Sequence, residues 1–205
     1  MTQGRPISIG GAVLMLYGAM LLAGCGPTRL LIRDSVPTPL VTALPLSMAL
    51  RITEDFSRQV QAETVENSKW EIVLGPAQAA ALRRVAGAVF ANVAVLAAGD
   101  AATGVDGVIE TSLDNYFYLL PASGTSNYFS ANISYKVNLQ SRDGTLIGSW
   151  LYEGYGSVPA RRTDTKDGIR RATELAIRDA FANFAVHLPQ QDLVTGLLPQ
   201  TGSRP

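Results

Sequence analysis

Residues 127–140, NYFSANISYKVNLQ, alternate without a break. Phe129, Ala131, Ile133, Tyr135, Val137 and Leu139 fall on one side of an extended chain, and Ser130, Asn132, Ser134, Lys136, Asn138 and Gln140 on the other. Successive side chains of a strand point to opposite faces of its sheet, so this run reads as a long strand with one buried and one wet face. The segment before it, VDGVIETSLDNYFYLL (residues 105–120), keeps the same period. Ile109, Thr111, Leu113, Asn115, Phe117 and Leu119 share one face, and Glu110, Ser112, Asp114, Tyr116 and Tyr118 the other. Asp143-Gly144 then supplies the chemistry of a tight hairpin. It leads into TLIGSWLYEGYG (residues 145–156), which has Leu146, Trp150 and Tyr152 on one face and Ile147, Leu151 and Tyr155 on the other. Three consecutive strands with short connections predict an antiparallel meander.

Working outward, LPLSMALRIT (residues 44–53) alternates as a further half-buried strand, and KWEIVL (residues 69–74) is a shorter one ended by Gly75-Pro76. Pro76 suits the first turn of a helix running to about Val93, with Leu82, Val85, Ala86, Val89, Phe90 and Val93 at three- and four-residue spacing. A second helix is expected over residues 168–188. Its stripe is Ile169, Ala172, Ala176, Ile177, Ala180, Phe181, Phe184 and Leu188, and Pro189 stops it. Strands with one apolar face need a cover, and two amphipathic helices supply it. The expected fold class is therefore α+β: a two-layer sandwich, mainly an antiparallel sheet of four to five strands covered by two amphipathic helices.

The N-terminus reads differently. Arg5 precedes an apolar run that closes on small residues before Cys25, the layout of a secretory signal. The competing reading is a spanning helix over Ile7 to Ala23. Leu22-Ala23-Gly24-Cys25 resembles the lipobox of bacterial lipoproteins, and the resemblance implies cleavage before Cys25 and acylation of its thiol. An outer-membrane destination is implied by Gly26, since Asp after the acylated cysteine resembles an inner-membrane retention signal. Expected organisation is a lipoprotein signal peptide over 1–24, a lipidated tether over 25–42, a single α+β periplasmic domain over 43–188, and a flexible tail over 189–205.

The chain carries 17 Lys+Arg and 17 Asp+Glu, and losing Arg5 with the signal leaves 16 against 17. That balance lacks the basic excess of a nucleic-acid binder, and none is expected as partner. With one histidine, His187, and its only cysteine committed to the anchor, the sequence offers no usual zinc set or Cys–His pair. Glu110 and Asp114, four residues apart on one strand face, stand about 13 Å from one another, too far to share a proton. No cofactor, metal or catalytic residue is expected. Six aromatics crowd the strand ends: Tyr116, Tyr118, Tyr128, Trp150, Tyr152 and Tyr155. Mixed with Asn and Ser, they fit a protein interface, and equally the outer layer of an ordinary sheet.

The order helix, three strands, helix behind a lipobox resembles the lipoprotein that sits inside the lipopolysaccharide-translocon barrel. It is also similar to the YajG-like lipoproteins and to the accessory lipoproteins that activate peptidoglycan synthases or form secretion channels. These resemblances imply a non-catalytic outer-membrane lipoprotein, anchored on the periplasmic face through Cys25, that serves an envelope assembly or transport machine through a protein partner or an oligomer. Two other readings stay open. A carrier of a lipid or other apolar ligand predicts a cavity between the Ala-rich first helix and the sheet. An envelope enzyme predicts a deep pocket around Glu110, Glu153 or His187.

Overall fold

The computed structural model describes residues 27–65, 68–97, 99–121, 127–161 and 163–198. The signal segment 1–24 and Cys25 lie outside them. The meander forms as expected: β6 (Gly107–Leu119), β7 (Tyr128–Gln140) and β8 (Leu146–Pro159) pair antiparallel in sequence order. Gly144 adopts φ +88° in the β7–β8 turn, where Ser141 N–H bonds the Thr145 carbonyl at 2.9 Å. Beside β6 lies β2 (Leu44–Arg51), parallel to it, and beyond β2 lies β5 (Phe90–Leu96), again parallel. The large sheet is thus mixed, in the order β5-β2-β6-β7-β8.

Four expectations are corrected. The first concerns the helix over 76–93: α2 spans Gly75–Val89, and Phe90 turns directly into β5. FANVAVL is rich in β-branched and aromatic residues, and its Phe90 and Val93 fit a helical stripe and a strand equally well. Secondly, the polar stretch after β2 holds α1 (Glu54–Ser57) and β3 (Val60–Val65). With β4 (Ser68–Val73) and β1 (Thr28–Leu31), β3 builds a second, three-stranded sheet in the order β1-β4-β3. Thirdly, the stretch read as a tether is packed. Leu30, Ile32 and Val36 are buried, and β1 runs parallel to β4. Part of the expected tail is packed too, since a 3-10 turn (Leu188–Gln190) and α4 (Asp192–Thr195) bury Leu188 and Val194.

The last long helix, α3 (Thr165–His187), begins three residues earlier than its stripe predicts. Asp164 caps it, its carboxylate accepting from Asp167 N–H at 2.7 Å. Every residue of the apolar stripe is buried against the inner face of β6, β7 and β8. Side chains there fall in size toward the sheet edge. Tyr116 of β6 stands opposite Ile133 of β7, which stands opposite Gly154 of β8; the next rung is Tyr118, Ala131, Gly156. At the glycine end α3 lies against bare strand. A Cβ on Gly154 would meet the Ala176 carbonyl and come within 2.8 Å of Ala180 Cβ. One on Gly156 would meet the Ala172 carbonyl and come within 2.6 Å of Ala176 N. At the tyrosine end the gap is filled, with the Tyr116 hydroxyl and Thr173 Oγ1 hydrogen-bonded at 2.8 Å.

Aromatic rings tie the layers together. Phe56 of α1 meets Tyr135 of β7 edge-on at 5.9 Å, Tyr135 lies 5.0 Å from Phe181 of α3, and Phe184 meets Tyr152 of β8 at 5.6 Å. Such pairs contribute about 0.5–1.5 kcal/mol each beyond the area they bury. Gln78 of α2, fully buried, is satisfied on both sides, accepting from the Tyr135 hydroxyl at 3.2 Å and donating to the Phe56 carbonyl. The N-terminal segment is stitched to both helices. Arg33 N–H donates to Glu174 of α3 at 3.1 Å, and Arg84 of α2 grips the Asp34 carboxylate and the Val36 carbonyl.

Two outcomes follow from this packing. Gly156→Ala forces α3 and β8 apart, and overpacking of this kind costs about 3 kcal/mol, readable as a lower urea midpoint, while Gly87→Ala, whose Cβ meets open space, does not lower it. The Arg84 hydrogen bond holds the Asp34 carboxyl below its usual range. Its contribution is therefore complete above the unfolded value and lost as pH falls through the depressed folded one. Asp34→Asn lowers the Tm by about 2 °C near neutrality, a pair half-open to water being worth about 1 kcal/mol or less, and the difference closes as pH falls through the depressed folded value.

Candidate functional site

With α3 on one face of β6, β7 and β8, the other face of this meander is the one that no helix covers among the described residues. Its character is set by a bulge. Leu113 pairs with Tyr135 and Asn115 with Ser134, so Asp114 is the extra residue, and the alternation of β6 reverses beyond it. Upstream, Glu110 and Ser112 point outward, and Glu110 pairs with Arg51 at 3.7 Å. Downstream, Asn115, Phe117 and Leu119 point outward, and Tyr116 and Tyr118 turn to the inner face, Tyr116 against Thr173 of α3.

This relocates the six aromatics singled out in the sequence. Tyr116 and Tyr152 are buried, which corrects their reading as interface residues: the bulge inverts Tyr116, and Tyr152 packs on Phe184. Tyr118 and Trp150, also on the inner face, are half-buried. Burial pushes the Tyr116 and Tyr118 hydroxyls up in pKa, and the Glu63 carboxylate of β3 adds to the effect at Tyr118. Burial alone pushes Tyr152 up to about 12. Only Tyr128 and Tyr155 of the six are well exposed.

Three residues that the sequence reading did not single out join them. Phe117 is 45% exposed, Leu119 59% and Leu151 57%. By register Phe117, Asn132 and Tyr155 form one rung across the three strands, and Leu119, Ser130 and Ser157 another. At the first rung a short polar side chain on the centre strand lies between two aromatic ones about 10 Å apart across two strand spacings, and at the second Leu119 faces Ser157 across Ser130. The outcome is a short, shallow trough walled by Phe117 and Leu119 on one side and Tyr155 on the other over a floor of Asn132 and Ser130. Leu151 lies beyond it, past Glu153 and in rung with Lys136 and Ser112. A signal for it was present in YFYLL (residues 116–120), which places large side chains on both parities immediately after the polar pair Asp114-Asn115.

Along β8 a cleft of about 490 Å³ is lined by Trp150, Leu151, Tyr152, Glu153, Asn183, His187 and Gln191. It brings together Glu153 and His187, while Glu110 sits elsewhere with Arg51. No hydrogen bond joins Glu153 to His187 among the described residues; Asn183 donates to the Glu153 carbonyl and Gln191 to the His187 carbonyl. The Tyr152 hydroxyl is buried without a hydrogen-bond partner. Among the described residues no three His, Cys, Asp or Glu side chains gather where they could hold a metal ion. The alanines of α2 bear on the carrier reading. Ala77, Ala79, Ala81 and Ala86 are at most 3% exposed, and a cavity wide enough for a ligand would leave accessible area on its wall.

No family model matches the chain. Among solved structures it is similar to protein XCC0632 of Xanthomonas campestris, 13% identical with a TM-score of 0.46 over 82% of this chain and 93% of that one. It is also similar to a minor lipoprotein of Acinetobacter baumannii, 8% identical with a TM-score of 0.42 over 76% of this chain and 96% of that one. A 69-residue stretch is 36% identical to part of a bifunctional NAD(P)H-hydrate repair enzyme of Leishmania braziliensis, covering 33% of this chain and 12% of that protein.

The bulge register makes an inverted pair of outcomes. Tyr116→Ala removes a buried ring and costs about 3–5 kcal/mol in urea unfolding, whereas Phe117→Ala changes stability by about 0.5 kcal/mol or less. Strict alternation through Asp114 demands the opposite order.

Proposed function

We propose that the chain is a non-catalytic, lipid-anchored protein of the bacterial envelope that acts as an accessory or scaffold subunit, docking a partner on the open face of its meander. The observation that carries this reading is the trough walled by Phe117, Leu119 and Tyr155, large side chains left to water on the face of the meander opposite α3. Exposed apolar groups clustered around a polar floor are what a partner's side chains can fill, with the floor's Ser and Asn meeting its polar atoms. The lipobox-like Leu22-Ala23-Gly24-Cys25 supports the anchor and, with Gly26, an outer-membrane site on the periplasmic face. Several acyl chains hold a domain at a bilayer where one alone is marginal.

Two measurements test the reading. Cells fed radiolabelled palmitate are expected to label the wild-type chain and not Cys25→Ser; label on both, or on neither, removes the anchor. A photo-crosslinking amino acid at position 117 or 155 is expected to trap one discrete envelope protein in living cells, and the same probe at the exposed Arg58 is expected to trap none. Equal and diffuse crosslinking from all three positions overturns the docking role.

A further inference from the structure

The two edges of the five-stranded sheet are finished differently. At the β8 edge, α3 supplies side chains to the strand's own backbone: the Asp179 carboxylate accepts from Tyr155 N–H at 3.0 Å, and Asn183 donates to the Glu153 carbonyl at 2.9 Å. The opposite edge is β5, which pairs with β2 alone. Ala91, Asn92, Ala94 and Val95 are exposed there, and no charged residue occurs between Arg84 and Asp100. Natural proteins guard such an edge with lysine, proline or a covering loop, because a bare row of backbone donors and acceptors is a template for another strand. The loop after β5 goes elsewhere. Ala102 and Val105 pack on Ala49 and Val108, on the outer side of β2 and β6.

We propose that β5 pairs antiparallel with β5 of a second copy of this chain, joining two five-stranded sheets into one of ten strands about a two-fold axis at Val93. The sequence of the strand argues for a second copy. In that register Phe90 lies opposite Leu96, Ala91 opposite Val95, and Asn92 opposite Ala94, so self-pairing sets no charge against its like. The exposed alanines let the backbones approach, and the seven residues give a contact line about 23 Å long. Head-to-tail addition of β5 to β8 is disfavoured, because it must first displace Asp179 and Asn183 from the strand they cap. The dimer leaves the trough on the meander open, so it is independent of the docking role proposed above.

The full-length chain in detergent, examined by size exclusion with light scattering, is expected to be dimeric at about 50 μM protein and to dissociate on dilution. Val95→Lys and Ala94→Lys place a charge on the edge at exposed positions. Each is expected to be monomeric with an unchanged circular dichroism melt, while Phe117→Ser stays dimeric. A wild-type chain that is monomeric at that concentration, or a dimer that survives both lysines, overturns the proposal. As a second measurement independent of those variants, the full-length Cys25→Ser chain carrying Val93→Cys is expected to form a disulfide-linked dimer under mild oxidation. Failure to crosslink there overturns the Val93 register and with it the proposal.

Discussion

The contact on which the rest of this fold depends is that between α3 and the end of β8, where helix and strand backbones meet with no side chain between them. Gly154 and Gly156 remove the strand's side chains, and Ala172, Ala176 and Ala180 keep the helix's own short. Because the opposite side of the helix rests on Tyr116 through Thr173, its tilt over the sheet follows the graded rung Tyr–Ile–Gly. That tilt has two results. Phe181 and Phe184 are delivered to Tyr135 and Tyr152, completing the run of rings from α1 to β8. Asp179 and Asn183 are delivered to the backbone of β8 and close that edge of the sheet.

Much of this architecture could be read in the sequence because it rests on simple periods. The unbroken alternation of residues 127–140 and the stripe from Ile169 to Leu188 both describe elements with one buried face, and both formed as expected. Where reading failed, a second influence overrode the period. Asp114 adds one residue to β6, and a parity rule carried through a bulge assigns every later side chain to the wrong face. Tyr116 and Phe117 exchanged roles for that reason alone. β5 was hidden because Val89, Phe90 and Val93 satisfy helical spacing, and only pairing with β2, remote in sequence, decides for a strand. The small sheet was hidden by brevity: β1 has four residues, and β3, VQAETV, carries too much polarity to declare a buried face. The site was legible as a region, the meander, and only partly as a set of residues.

The molecule also divides its surfaces by chemistry. One face of the meander is covered by α3, and the other holds the short trough with its polar floor. One edge of the large sheet is capped by helix side chains, and the other is uncharged and bare. Each uncovered surface is of a different kind: the trough offers side chains, and the β5 edge offers backbone hydrogen bonds. Strand pairing is tolerant of sequence and strict about geometry, whereas a trough of Phe, Leu and Tyr is selective by shape. Two associations can therefore coexist on one small domain without competing for the same atoms.

The early start of β1 bears on how the protein would stand at a bilayer. Only Gly26 and Pro27 separate Cys25 from Thr28, the first residue of β1, a contour of about 10 Å at full stretch. In the lipidated form proposed above, such a leash cannot carry the domain across the periplasm in search of a partner. It holds the start of β1 within about 10 Å of the lipid-bearing residue.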